Sequence, residues 1–389
     1  MRRRVLLILA LVLALLLLSL WLPLPERQSV PPPQRLSVRD TLGGVGAEGF
    51  ARVTAPRPFR FPADHGPHEA YRHEWWYFTG NLRGADGRRF GYQLTFFRFG
   101  LDPRPASRAS RWAASQAWMA HLAVTDGSGQ RFVNFERFSR GALGLAGASA
   151  QPFRVWLEEW SAAATGEESF PLRLRAGEGG TAIDLTLAAG KPVVLPGDRG
   201  FSRKGPEPGN ASHYYSLTRL PTRGEVRLNG QRWTVEGFSW LDREWGTSAL
   251  GKDEVGWDWF ALQLDDGREL MFYRLRRRDG SISPFSAGVL VAPDGSSRPL
   301  AADAVRVEPQ GSWTSPRSGA RYPAGWRLAV PGEGVDLAVT PLVADQELAA
   351  SVVYWEGAVA VEGSTPGRSV GGSGYVELTG YGAGTGAGN

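Results

Sequence analysis

The sequence predicts an all-β protein, two tandem antiparallel β-barrels behind an N-terminal apolar helix. Three observations carry this expectation. Turn dipeptides recur between short apolar runs from Phe59 onward. Aromatic residues are abundant, with 15 Trp, 10 Tyr and 18 Phe, and they suit strands and apolar pockets better than helices. A short aromatic motif also occurs twice, as expected of a duplicated unit. At 389 residues and 42% hydrophobic content, the chain can fill two ordinary cores.

The first element is the N-terminal helix, expected over residues 1–25. Arg2, Arg3 and Arg4 precede an uninterrupted apolar run from Val5 to Leu22, which Pro23, Pro25, Glu26 and Arg27 end. As a helix the run rises about 27 Å, just short of a hydrocarbon core of about 30 Å. Neither Leu18-Ser19-Leu20 nor Trp21-Leu22-Pro23 offers a clean cleavage site, so the run reads as an uncleaved signal anchor. Its basic flank keeps the N-terminus cytoplasmic and places everything beyond Trp21 on the far side, in the cell envelope facing the periplasm. Cleavage would instead make the protein secreted. Residues 26–56 follow as a flexible spacer, with Pro31-Pro32-Pro33 and Gly43-Gly44 among scattered charges.

Beyond the spacer the chain reads as strands. Asp86-Gly87, Asp126-Gly127, Asn229-Gly230, Asp266-Gly267, Asp279-Gly280 and Asp294-Gly295 each separate apolar runs and supply the positive φ that tight hairpins need. The run Phe90 to Phe96 alternates with period two, and Glu225–Leu228, Asn229-Gly230 and Gln231–Val235 make a complete hairpin. No helical period extends over twelve residues; Ala106 to Ala114 and Val343 to Ala350 are the best short candidates. Many evenly spaced strands argue for closed barrels, which remove exposed edges.

The duplicated motif is Trp75-Trp76-Tyr77-Phe78 with Asp86-Gly87-Arg88 behind it, and Trp257-Asp258-Trp259-Phe260 with Asp266-Gly267-Arg268 behind it. It divides the chain into a first barrel over 57–220 and a second over 221–381, with the boundary near Leu220-Pro221-Thr222. The glycine-rich tail, 382–389, is expected to be disordered.

Composition excludes several chemistries. Cysteine is absent, which removes disulfides, thiolate nucleophiles and thiolate metal sites. The net charge of +5 includes the three terminal arginines, so the folded part is near neutral and nucleic acid is a poor partner. The Arg274, Arg276, Arg277, Arg278 cluster reads as a solvated strand end, with contact to anionic lipid headgroups as the alternative. Gly237-Phe238-Ser239-Trp240-Leu241 lacks the closing glycine of a nucleophile elbow. His73-Glu74 is not followed by the histidine of a zincin helix, and His65, His68, Glu69, His73 and Glu74 match no familiar metal spacing. No cofactor or metal is therefore expected.

Two constellations remain. In Tyr71 to Phe78, His73, Trp75 and Tyr77 share one strand face while Glu74, Trp76 and Phe78 share the other, so a histidine or a carboxylate must point inward among indoles. Desolvation raises a carboxyl pKa and would make such a group a general acid. The bland reading is a structural ion pair of Glu74 with Arg72 or Arg243. In Phe238 to Gly246, Asp242 and Glu244 share a face with Trp240, and Asp258 lies between Trp257 and Trp259. The candidate acids and bases are thus His73, Glu74, Asp242, Glu244 and Asp258. Trp75, Trp76, Tyr77, His121, Arg243, Trp245, Trp257 and Trp259 are the candidate ligand contacts.

The segments His73–Leu82, Asp242–Gly246, Trp257–Phe260, Tyr354–Ala358 and Gly374–Tyr381 together resemble the carotenoid 1,2-hydratase family, and more closely its AttH-like branch. The resemblance runs from about Phe59 to Tyr381. It implies that the two barrels are lipocalin-like and, in the hydratases, that water adds without a cofactor to a terminal double bond of an acyclic carotenoid. A carboxylic acid would protonate the alkene, and indole faces would stabilise the cation. The chain departs from the hydratase pattern at Arg243 and Glu244, where histidine and asparagine are expected.

Three functions follow. The first is an envelope protein binding a lipid, isoprenoid or other apolar molecule, alongside an export or import system. The second is a hydratase or hydrolase acting on an apolar substrate through carboxylates. The third is a structural module whose barrels are filled by side chains. If the two constellations meet between the barrels, the site belongs to both.

Overall fold

The computed structural model describes residues 47–104, 110–248 and 250–382. The expected anchor (1–25), the spacer up to residue 46, and the tail from residue 383 lie outside the described residues. Twelve strands make the first sheet: β1 (His73–Gly84), β2 (Arg89–Gly100), β3 (Gln116–Asp126), β4 (Arg131–Arg140), β5 (Ala146–Ala150), β6 (Phe153–Leu157), β7 (Trp160–Ala164), β8 (Leu172–Glu178), β9 (Thr181–Leu187), β10 (Phe201–Arg203), β11 (Ala211–Leu228) and β12 (Gln231–Gly246). Twelve more follow: β13 (Glu254–Leu264), β14 (Glu269–Arg277), β15 (Ala287–Val291), β16 (Ser297–Ala301), β17 (Arg306–Pro309), β18 (Trp313–Thr314), β19 (Arg321–Tyr322), β20 (Trp326–Val330), β21 (Val335–Pro341), β22 (Glu347–Leu348), β23 (Tyr354–Thr365) and β24 (Arg368–Leu378). Helical structure among the described residues is confined to 3-10 turns such as Ala63–His65. Of the short helix candidates, 343–350 contains β22 instead.

The two large sheets are antiparallel and each follows one path, apart from β10, which pairs with β11, and β22, which pairs with β23; β18 and β19 form a separate two-stranded sheet. The first runs β4-β3-β2-β1-β12-β11-β9-β8-β7-β6-β5 and the second β16-β15-β14-β13-β24-β23-β21-β20-β17. In each, the strand carrying the repeated aromatic motif is central and pairs with both its hairpin partner and the last strand of its sheet. Each sheet curls around its own aromatic and aliphatic core to give a nearly closed barrel. The turn chemistry behaves as expected at Gly87, Gly230, Gly267, Gly280 and Gly295, all near φ +80 to +86°. Gly127 does not take positive φ. There Asp126 instead accepts from the Gly129 amide and the Arg88 guanidinium, and Gln130 carries the positive φ of 49°.

The expected barrel boundary at 220/221 falls inside β11. Pro221 sits in register with Phe238 just after a β-bulge between Leu217 and Leu220, and the β11–β12 hairpin completes the first sheet. The sheets therefore divide between Gly246 and Glu254. The spacer is also shorter than expected, because Phe50 and Val53 are buried and Ala51 donates its amide to Ala70 O at 2.8 Å.

Both sheets lie in one compact unit. Their outer faces meet in a third apolar cluster that includes Tyr77, Tyr214 and Trp240 from the first sheet and Trp259, Tyr354 and Tyr375 from the second. Polar links cross the same seam: Asn81 Nδ2 donates to Gly374 O at 3.0 Å, Thr125 Oγ1 to Gln346 Oε1 at 2.7 Å, and Gln263 Nε2 to Thr218 O at 2.7 Å. Glu269, fully buried, is held by Lys191 at 2.8 Å and by Arg219.

Candidate functional site

Strand alternation decides what each barrel keeps and what it offers to the other. On β1, Trp76 and Phe78 enter the first barrel core while Trp75 and Tyr77 turn to the seam. On β12, Leu241 and Trp245 point inward, and Trp240, Asp242 and Glu244 outward. The second barrel repeats the arrangement, with Phe260 inside and Trp257 and Trp259 at the seam. Between the two outer faces lies a cavity of about 110 Å³. At roughly 10–15 Å³ per water, it admits several waters or the end of an apolar ligand. Its walls are Trp75, Tyr77, Phe97, Phe99 and Met119 from one sheet and Trp257, Trp259, Tyr273 and Leu275 from the other.

Three carboxyl groups enter this aromatic space. Asp242 is 3% exposed and meets only neutral donors: Ser216 Oγ and Trp240 Nε1, each 2.6 Å from Oδ1, and the Tyr214 hydroxyl on Oδ2. Burial pushes its pKa up to about 7, with the Glu244 charge adding to the rise and the three hydrogen bonds opposing it. Glu377 is also pushed up to about 7 by burial and by the Asp242 and Glu244 charges, although Trp257 Nε1 donates to it at 2.5 Å. Behind it, Glu356 accepts from Tyr77 OH at 2.5 Å, and burial together with Glu377 raises its pKa far above the carboxylate range. Glu244 differs, since Lys204 stands 3.1 Å away and Ser212 donates to it. Burial works against the Lys204 ammonium, but Glu244 and Tyr273 overcome it and its pKa is raised.

The duplicated topology explains part of this clustering. Asp242 lies opposite Tyr77 on the first repeated strand, and Glu377 lies opposite Trp259 at the corresponding place on the second. Ser216 beside Asp242 corresponds in the same way to Glu356 beside Glu377.

Of the expected site residues, Trp75, Tyr77, His121, Asp242, Glu244, Trp257 and Trp259 line the cavity. The others do not. Glu74 is on the opposite face of β1, fully buried in the first barrel and clamped by Arg98, by Arg243 at 2.9 Å and by the His68 amide at 3.0 Å. Burial opposes its charge, but the two guanidiniums hold its carboxyl well below the usual range, which makes it a fixed anion rather than a proton donor. Arg243 stacks over Trp76 at 3.8 Å, and with Trp245 it belongs to that same ionic core. His73 shares the seam face with Trp75 but lies outside the cavity lining; burial lowers its pKa to about 3, so it is neutral. Asp258 is buried in the second barrel, paired with Arg274 and with Arg276 at 2.9 Å and bonded by Tyr381. Two arginines of the cluster read as a solvated strand end thus neutralise this buried carboxylate.

Sequence reasoning passed over Glu356, Glu377, Tyr214, Tyr354 and Lys204 as site residues. Glu356 and Glu377 are single charged residues in apolar strands, and such residues are more often satisfied core groups, while Lys204 follows Arg203 in a polar loop segment. Their signal lay in pairing: Glu356 and Glu377 sit in the two last long apolar runs, which pair with each other, and their carboxyls meet across that pair.

Two fused antiparallel barrels with an acidic, aromatic-walled cavity between them define a class of paired-barrel proteins. The chain belongs to the AttH-like family, whose model matches residues 52–381. A solved structure assigned to AttH from Nitrosomonas europaea is 34% identical, covers 85% of this chain and 100% of its own, and superposes with a TM-score of 0.75. Kievitone hydratase from Nectria haematococca shares the fold at 15% identity and a TM-score of 0.65, covering 85% of this chain and 96% of its own. Kievitone hydratase of Fusarium solani subsp. phaseoli is 24% identical over 213 residues, which are 53% of this chain. That match spans 59% of the relative's length.

Proposed function

We propose that this protein is a cofactor-free hydratase, adding water to or removing it from an apolar unsaturated substrate held between the barrels. The observation that carries the reading is Asp242, a carboxyl group in an aromatic cavity with three neutral hydrogen-bond donors and no cation bonded to it. Near neutral pH a large fraction of it keeps its proton, which it gives to the alkene carbon. The bonding electrons of the double bond form the new C–H bond, and the indoles of Trp75, Trp257 and Trp259 that line the cavity would stabilise the cation left on the neighbouring carbon. Water then adds there. The kinship with kievitone hydratase supports the same class of reaction.

A carrier for lipids or isoprenoids needs the cavity but not its carboxyl groups, whose burial costs free energy that a passive pocket has no use for. The proposal includes the envelope location expected from the apolar run 5–22, which would put the cavity within reach of membrane-dissolved substrates.

The test is incubation of the purified protein with lycopene, an acyclic carotenoid, and separately with kievitone, in heavy-oxygen water. Labelled alcohol is expected from the wild type, and Asp242→Asn should lower its rate at least about 100-fold. The hydratase reading is wrong, and the carrier reading stands, if no label enters either probe while a fluorescent fatty acid still binds.

A further inference from the structure

Adding water to a cation needs a second group to take the water's proton. Asp242 and Glu377, both near 7, compete for protons over the same range and do not by themselves divide the roles of acid and base. The same cavity also carries a different arrangement. His121 and Tyr354 both line it, one from β3 and the other from the start of β23. His121 Nδ1 is 2.7 Å from Tyr354 OH, and His121 Nε2 is 2.9 Å from Glu136 Oε1. His121 and Glu136 are directly opposed on β3 and β4. Glu136 is itself fixed by Ser351, whose amide lies 3.0 Å and whose hydroxyl lies 2.7 Å from Oε2.

Burial opposes the Glu136 charge, but the bonds from His121 and Ser351 outweigh it and keep the group a carboxylate, which only accepts. A neutral His121 facing that carboxylate would carry its proton on Nε2 and leave the Nδ1 lone pair for the phenol. Burial keeps Tyr354 protonated, so its O–H can donate to Nδ1. The order of groups is phenol, imidazole, carboxylate, each orienting the one before it.

We propose that Tyr354, backed by His121 and Glu136, is the base that accepts the proton of the attacking water. This rests on the hydratase reading above and assigns its second half. As the water oxygen bonds to the cationic carbon, one of its protons passes to the Tyr354 oxygen and the phenol proton passes to His121 Nδ1. Glu136 balances the imidazolium that forms. Asp242 has lost one proton and His121 has gained one, so alkene plus water gives alcohol, and solvent exchange between the two groups resets the site. Tyr354 is the catalytic residue; His121 and Glu136 act through it as positioning and proton-storing residues. A latch that merely joins the barrels would need the same hydrogen bonds but no proton acceptor.

The experiment separates alkene protonation from water addition. In deuterated heavy-oxygen water, a cation that forms and collapses back leaves deuterium in recovered lycopene or kievitone, while completed hydration leaves oxygen label in the alcohol. Wild type should show both and Asp242→Asn neither. Tyr354→Phe should keep deuterium exchange and substrate KM within about threefold, yet lose kcat for oxygen incorporation by about 100-fold. His121→Gln should show the same split, and it decides the matter if Tyr354→Phe does not fold. Hydration by Tyr354→Phe at the wild-type kcat, or the split appearing in Glu377→Gln instead, overturns the proposal and leaves the hydratase reading intact. Absence of both labels with the wild type overturns the two together.

Discussion

Glu74 and Asp242 are both buried carboxyls among indoles, and their surroundings send them in opposite directions. Glu74 has two guanidiniums and Asp242 has three neutral donors. Asp242 keeps its proton in the folded protein up to about pH 7, but only to about 3.8 when unfolded. It therefore contributes stability that is fully present below about pH 4 and is lost as pH rises through about 7. Urea denaturation should find Asp242→Asn close to wild type at pH 4 and more stable at pH 8, by at most about 4 kcal/mol. Turnover should fall as pH rises through about 7, where the folded acid loses its proton. Glu74→Gln should do something else: it leaves Arg98 and Arg243 buried with half their partner gone, at a cost of about 3–5 kcal/mol in the same denaturation assay. Ligand binding in the folded variant should be unchanged, since Glu74 is on the far side of β1 from the cavity.

At the scale of the strand, the sequence showed which residues share a face but not which face holds the site. The period-two alternation of Tyr71 to Phe78 groups Trp75 with Tyr77 and Glu74 with Trp76, and the structure keeps those groups. Yet both faces of β1 are buried, one by its own barrel and one by the other, so no polar face marks the solvent side. That is why Glu74 and Asp258 looked like equals of Asp242. The boundary at Pro221 was misplaced for a related reason. Proline usually marks a strand's edge, and here a β-bulge lets β11 carry it and continue as one arm of the hairpin that delivers Tyr214, Ser216, Asp242 and Glu244 to the seam. The turn of that hairpin was fully legible in Asn229-Gly230. A Cβ at Gly230 would touch nothing within 4 Å, so the cost of Gly230→Ala is set by its φ of +81° alone, about 1 kcal/mol. Thermal melting should register that loss with kcat little changed.

Across the whole molecule, the duplication was readable from a short aromatic motif and the Asp-Gly-Arg turn behind it because β1 and β13 are the central strands of equivalent sheets. What the motif does not encode is that the two outer faces close on each other, since apolar seam residues and apolar core residues look alike. The seam joins the barrels by an aromatic cluster and by Glu269, whose partners are Arg219 on β11 and Lys191 in the loop after β9. Calorimetry should therefore show one unfolding transition, and Arg219→Ala should lower it as a whole, by about 3 kcal/mol, without splitting it. Two well-separated transitions would mean that the barrels fold independently.

A cavity on the axis between two identical subunits can offer a ligand only matched pairs of groups, the same on the left as on the right. Joined in a single polypeptide, the two halves are free to diverge one position at a time, and they have done so here: aspartate against glutamate at 242 and 377, serine against glutamate at 216 and 356, tyrosine against tryptophan at 77 and 259. The resulting chamber has no mirror or rotational symmetry left. A flat cation resting in it meets a different surface above and below, so wherever its three substituents differ, the alcohol should emerge as one enantiomer.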